Sequence, residues 1–595
     1  MTPGSLRALV RPLRVFAFDP SLGSRHGNVM TLSVAHEPLR KGPRGRTVAV
    51  TDYDASNRCY YAPVDLDDPA VVMEDGRPPS EADPGFHQQM AYAVTMKTIE
   101  NFSYALGRRV EWRKRRSPHR GGTAVFESPA LRVFPHAMQG ANAYYDPARH
   151  AVFLGYFEAS RREAGHNLPG QTVYTCLSHD IIAHETTHAL LHDLRPHYLT
   201  PTGCDAAAFH EALADLVALL QHFGFESALV DHLMETGGRL HDAELPPEVE
   251  PASGQATRIV AERSQPNVLI GLAQQFGEAL EMRAALRSAL GTAHDPSALQ
   301  RRFEPHERGA ILVACVFDAF LSVYARQAAA FLRLIQSRNA PLGTRLSREV
   351  AGHLAGEAAK MARQFLRICV RAIDYCPPVD ISFGDYLRAL VTVDSDLVQV
   401  DKLGYRDTLI EAFRLRGVDP GGVRSYAVES LRWEPPLRRG RPLECSGLQL
   451  DVIHGTDGRT QSRNARVLHA FGEEYAKELQ LDPATPIRVE SFHPIYRVGE
   501  DGQVGFQVVA QLVQRRLRST RGRRDDGCQI GGCTLIIDMP SGLVRYAVYK
   551  RIHSRRRAEQ EKEFTEYWAE RVAGPYTVAQ AGLPTLDFAR LHRGY

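Results

Sequence analysis

Hydrophobic and polar positions divide the chain into three textures. Up to about Tyr61, short apolar stretches such as Thr47-Val-Ala-Val-Thr51 alternate with Gly/Pro punctuation, a pattern that predicts strands. Residues 65–84 are acidic and Pro-rich and predict a loop. Over 86–106 apolar residues recur at helical spacing, and 142–156 turns strand-like again, with a turn signal at Asp146-Pro147. Between 175 and 417 helical periodicity dominates and predicts helices over 178–194, 206–223, 268–290, 308–336, 347–375 and 404–416. Residues 429–445 are rich in Pro and Arg and read as a linker. Beyond them the period drops towards two, predicting strands at 448–453, 487–498, 504–514, 533–538 and 544–551 around a helix at 462–479.

These textures predict an α+β fold. An N-terminal extension (1–44) precedes a β-rich part (45–200), a helical part (201–418), a linker (419–446) and a small C-terminal α+β accessory domain (447–595). A length of 595 residues agrees with roughly two to four domains.

Composition narrows the function classes. Lys plus Arg is 72 and Asp plus Glu is 69, a net charge of +3, which argues against a general nucleic-acid or membrane-surface role. The nine cysteines are dispersed and odd in number, unlike a disulfide framework. Arg11 and Pro12 interrupt the first apolar run before it reaches signal-peptide length, so the expectation is a soluble, cytoplasmic protein with no membrane partner. One local exception is basic: Arg515-Arg-Leu-Arg-Ser-Thr-Arg-Gly-Arg-Arg524, followed by Arg555-Arg-Arg557. It reads as a solvated surface loop, with an anionic partner such as nucleic acid as the alternative.

Chemistry concentrates in Asp180-Ile-Ile-Ala-His184-Glu185-Thr-Thr-His188. On a helix the two histidines lie one turn apart on one face and can share a zinc ion. Glu185 follows the first ligand and can act as general base on water. The next predicted helix carries Phe209-His210-Glu211-Ala-Leu-Ala-Asp215, whose carboxylates are also one turn apart. Glu211 suits a third metal ligand, and Asp215 suits an acceptor that fixes the tautomer of a ligand imidazole. The histidines crowded nearby (His192, His197, His210, His222) read as packing or hydrogen-bonding residues.

His184-Glu-Thr-Thr-His188 with Glu211-Ala-Leu-Ala-Asp215 resembles the thermolysin family of zinc metallopeptidases, within the gluzincins. The resemblance covers about residues 45–418 and implies a thermolysin-like catalytic region, one zinc per chain, and hydrolysis of a peptide or protein substrate. It implies an early helix beginning Phe86-His-Gln-Gln-Met, a closing helix at Glu411-Ala-Phe-Arg-Leu-Arg-Gly417, and an edge strand at Asn142-Ala143-Tyr144-Tyr145-Asp146 that holds extended substrate. It further implies that His306, assisted by Tyr198, stabilises the oxyanion, and that Arg287 binds a substrate carbonyl. The family's secreted members carry a signal peptide, a pro-segment and structural calcium. None of the first two is expected here. His222 stands where a second acidic calcium ligand would be, so that paired site is expected to be lost or altered. Two other readings stay open: a catalytically weak peptide-binding or regulatory protein on a peptidase fold, and a zinc aminopeptidase.

Overall fold

A computed structural model describes residues 10–17, 20, 28–113, 115–117, 125–127, 129–162, 167–200, 202–224, 226–240, 294–336, 345–450, 458–498, 504–517, 528–571, 577–580 and 583–592. Helices and strands are both abundant, which makes the class α+β. The first part is built on a mixed sheet ordered Thr172–Tyr174, Ala151–Glu158, Leu131–Gln139, Val48–Val50, with Ala143–Asp146 antiparallel to Ala151–Glu158. The helix Pro84–Leu106 packs behind this sheet. Its start is set by the Asp83 side chain accepting from Gly85 N–H and by Pro84 in the first turn; its end is set by Gly107 at φ 65°. The hairpin Val10–Phe16/Val29–Ala35 lies on the same helix, and Leu13, Val15, Leu32 and Val34 join the main core.

Among the described residues the helical part includes His179–Leu194, Cys204–His222, Glu226–Glu235, Pro305–Gln336, Arg348–Ala372, Phe383–Leu397 and Tyr405–Leu415. Cys204–His222 is buried on almost every side, as befits the central helix of a core. Pro305–Gln336 is apolar enough to resemble a membrane span, but most of it is buried within the protein. The helix expected at 268–290 lies outside the described residues. Phe383–Leu397, which the pattern did not single out, starts with a capping box between Ser382 and Asp385.

The later part contains an antiparallel meander, Ile487–Val498, Val504–Leu517, Cys528–Met539 and Val544–Lys550. Its two-residue period divides the sheet between two cores. Val508, Ala510, Leu512, Leu535 and Ile537 form a second core with Leu468 and Phe471 of the Gly458–Glu474 helix. Val509, Ile536 and Tyr546 face the other way and join the main core. Polar bonds follow the same face: Gln511 Nε2 donates to the Leu194 carbonyl (3.1 Å) and Thr534 Oγ1 to the Cys376 carbonyl (2.8 Å).

Three expectations change. Of the strand expected at 448–453, residues 448–450 are not in a ladder, and both backbone groups of Gln449 bond the Asn464 side chain instead (3.0 and 2.6 Å); 451–453 lie outside the described residues. Three short elements interrupt the expected loop and linker: the helix Pro69–Met73, the helical turn Val428–Leu431 and the hairpin Leu437–Arg438/Arg441–Pro442. The basic run at 555–557 opens a helix, Arg555–Arg571, in which Arg557 bonds Asp380 and the Ile530 carbonyl (2.9 Å). Of the other basic run, Arg515 and Arg516 continue a strand, and 518–524 lies outside the described residues.

One buried histidine sets an acid limit on stability. His87 is 1% exposed, with Nδ1 2.8 Å from His136 Nε2 and Nε2 3.1 Å from the Glu81 carbonyl. Burial, and then the neighbouring His136, push its pKa from 6.5 down to about 3. The folded ring therefore stays neutral where the unfolded one gains a proton, so this contribution to stability falls as pH drops below 6.5. Between about pH 7.5 and about pH 5.5 the loss is about 1.4 kcal/mol. In urea titrations at those two pH values, His87→Gln should show a pH-dependence of stability smaller by that amount; an unchanged dependence contradicts this account.

Candidate metal centre

Two antiparallel helices frame the centre. Ser178 caps His179–Leu194 through Ile181 N–H, and Asp180 in the first turn lies 2.9 Å from His222 Nδ1 in the last turn of Cys204–His222. A carboxylate at one helix start and an imidazole at the other helix end also suit both helix dipoles. Asp180 and His222 sit where the family resemblance would put paired calcium. Among the described residues the buried group His179, Asp180 and His222 offers one carboxylate and two imidazoles, unlike the six or more oxygen donors that calcium takes.

A third helix, Pro305–Gln336, crosses the second at Gly309. A Cβ there would stand 2.9 Å from the Ala208 carbonyl oxygen, a clash that glycine avoids. This approach brings His306, three residues earlier, to Glu211: His306 Nε2 is 3.3 Å from Glu211 Oε2.

His184, Glu185, His188 and Glu211 are all 0% exposed. His184 Nε2 lies 3.0 Å from His188 Nε2, and Glu211 Oε2 is 3.5 Å from the first and 3.6 Å from the second. Donors in a tetrahedron around zinc are about 3.3 Å apart. The outer nitrogens are also occupied: His184 Nδ1 is 2.9 Å from Asp215 Oδ1, and His188 Nδ1 is 3.4 Å from His210 Nδ1. With protons on those outer nitrogens, two imidazole lone pairs and a carboxylate oxygen converge on one point, an arrangement a cation relieves. Glu211 Oε1 is buried without a hydrogen-bond partner. The donor set, its spacing and its outer partners therefore fit a zinc ion.

The surrounding charges are strongly perturbed. Burial alone would depress His184, but Asp215 and Glu211 hold its pKa up at about 9. Burial would raise Glu185, yet His592 and the two ligand-type histidines pull its carboxyl below the ordinary range. Burial and then His188 keep His210 neutral, well below the usual histidine value.

The other expected site residues fall into distinct groups. His306 reaches the centre, with Nδ1 2.8 Å from Glu304 Oε1, which leaves Nε2 facing Glu211. Asn142 and Ala143 lie beside it on the sheet edge. Gly155 makes their position possible: a Cβ there would come within 2.6 Å of the Asn142 carbonyl oxygen, which instead accepts from Gly155 N–H at 2.9 Å. Tyr198 is a correction. Its fully buried hydroxyl donates to the Pro377 carbonyl at 2.6 Å, so it is committed to packing the loop against the helical core and is not offered to the centre. Arg287 lies outside the described residues.

Two residues at the centre were not anticipated. His592 Nδ1 is 3.0 Å from the Ala143 carbonyl and 3.2 Å from Glu185 Oε1, and its Nε2 is 3.4 Å from Glu211 Oε2. Phe588 stacks on His188, with ring centroids 4.2 Å apart and planes 28° apart. Leu586, Phe588 and Leu591 are too few to make a periodic pattern. The one signal available was a histidine closing a short apolar run.

No protein-family model matches the chain, and no curated protein does. A cavity of about 1160 Å³ lies elsewhere, lined among others by Ser103, Arg371, Tyr405 and Arg497, and it includes none of the residues of the centre.

If Asp215 orients His184, Asp215→Ala should weaken zinc binding by about 10- to 100-fold in competition with a chromophoric chelator. Unchanged affinity would show that Asp215 has no such role.

Proposed function

We propose that the chain is a zinc-dependent peptidase with a thermolysin-like catalytic region, cutting within peptides. The observation that carries this reading is the convergence of His184 Nε2, His188 Nε2 and Glu211 Oε2 at 3.0–3.6 Å, beside the carboxylate of Glu185. His184, His188 and Glu211 would hold the metal. Zinc bound there supplies Lewis acidity, polarising a carbonyl and acidifying water.

The chain's own groups divide the remaining work. Glu185, whose Oε2 has no hydrogen-bond partner, takes the proton of the attacking water and returns it to the leaving amine. His306 donates from Nε2 to the developing oxyanion, with Glu304 holding the opposite ring nitrogen. Asn142 Nδ2 and the Ala143 carbonyl grip an extended substrate, since Ala143–Asp146 is paired to Ala151–Glu158 along its other edge. A strand-like grip of this kind favours an internal peptide segment over a free amino terminus, and so an endopeptidase over an aminopeptidase.

A second reading draws on a different observation. His184, Glu185, His188 and Glu211 are all 0% exposed, which favours a protein that binds peptide or responds to it with little hydrolysis.

A digest of N-terminally blocked peptides separates these readings. The wild type should cleave internal bonds, and Glu185→Gln should keep about one zinc per chain while losing about 100-fold or more in kcat/KM. Undiminished cleavage by Glu185→Gln would remove the assigned base; zinc binding with no cleavage of any blocked peptide would favour the second reading.

A further inference from the structure

We infer that His592 is a fourth protein ligand of the metal, and that residues 588–592 occupy the substrate groove as an internal latch. This rests on the zinc-peptidase reading and adds its regulation.

The ligand half follows from the ring's two nitrogens. His592 Nδ1 faces two acceptors, the Ala143 carbonyl at 3.0 Å and Glu185 Oε1 at 3.2 Å, so the ring proton belongs there. Nε2 faces the Glu211 carboxylate, an acceptor that either a ring proton or a metal ion can satisfy; a metal ion there takes the proton's place and uses the Nε2 lone pair. Nε2 stands 3.4 Å from Glu211 Oε2, the same spacing that separates Glu211 from His184 and His188 (3.5 and 3.6 Å). His592 also shares with His184, Glu185 and His188 a set of donor atoms within 4.8 Å of one another. An imidazole whose outer N–H is tied to a backbone carbonyl is the usual form of a histidine that binds metal. Four protein donors close a zinc site, whereas a hydrolytic site keeps one position for water or substrate.

The latch half follows from the groove. Asn142 Nδ2 donates to the Ala589 carbonyl at 3.2 Å, and the Ala143 carbonyl is taken by His592. Those are the two groups assigned to substrate. The contact of His592 with Glu185 also engages the assigned base. Phe588, on His188, and Leu586 and Leu591 are each 0% exposed and hold the segment in the main core. Hydrolysis therefore requires 588–592 to move out, and a peptide must compete with it for the edge strand.

The test uses full-length protein loaded with cobalt(II), as wild type, His592→Ala and Phe588→Ala. Metal content and visible absorption are read while acetohydroxamate is added. All three proteins should bind about one cobalt per chain. The wild type should resist acetohydroxamate, His592→Ala should bind it at least about tenfold more tightly, Phe588→Ala should fall between, and peptide cleavage should rise in the same order. Equal cobalt content with equal acetohydroxamate affinity in all three would overturn the inference while leaving the peptidase reading intact. Loss of cobalt from His592→Ala alone would overturn the latch, since the residue would then be needed to retain metal. Failure of all three to bind cobalt would instead remove the reading on which the inference rests.

Discussion

Burying ionisable groups in the middle of a core is costly unless their charges meet a compensating partner. Here the groups are two imidazoles and two carboxylates, His184, His188, Glu185 and Glu211, none with any exposure. Everything around them reads as a way of meeting that cost. Asp215 and His210 satisfy the outer nitrogens of the two histidines. His306 and His592 bring further imidazoles to Glu211. A metal ion at the point where the donor atoms converge would complete the compensation and give the arrangement a chemistry.

The fold delivers these groups by packing long elements at short range. The Asp180–His222 contact pins the start of one helix to the end of its neighbour, which sets the register that brings His184 to Asp215 and His188 to Glu211. Gly309 lets a third helix approach closely enough to bring in His306. The meander of the later part backs the end of the first helix through Gln511 and the Leu194 carbonyl. From that part the chain returns to the sheet edge and places His592 opposite Glu211, 381 residues away in sequence. The C-terminal part is thus joined to the centre by packing and by a side chain.

What local spacing encodes is legible in the sequence alone. A helical period and the i, i+4 repetition of His and of acid single out His184, His188, Glu211 and Asp215, and the structure gathers those four. Helix and strand positions follow for the same reason, with Asp83 and Gly107 setting ends that periodicity leaves blurred. The losses have physical causes as well. Arg555–Arg571 is polar on most of its surface and steadied by pairs such as Arg555–Glu559, so it shows no apolar stripe. Residues 448–450 have strand composition, but a single Asn464 side chain satisfies Gln449. Tyr198 was placed by analogy of position, and a buried phenol takes the acceptor nearest to it. His592 was out of reach because its role exists only through a contact between distant parts of the chain.

The central claim is that one metal ion belongs among His184, His188 and Glu211. Anomalous diffraction from crystals of the zinc-loaded protein, recorded on both sides of the zinc edge, tests it most directly. The account predicts a single strong peak about 2.0–2.2 Å from His184 Nε2, His188 Nε2 and a Glu211 carboxylate oxygen. A peak elsewhere with this point empty, in protein that contains zinc, would contradict it.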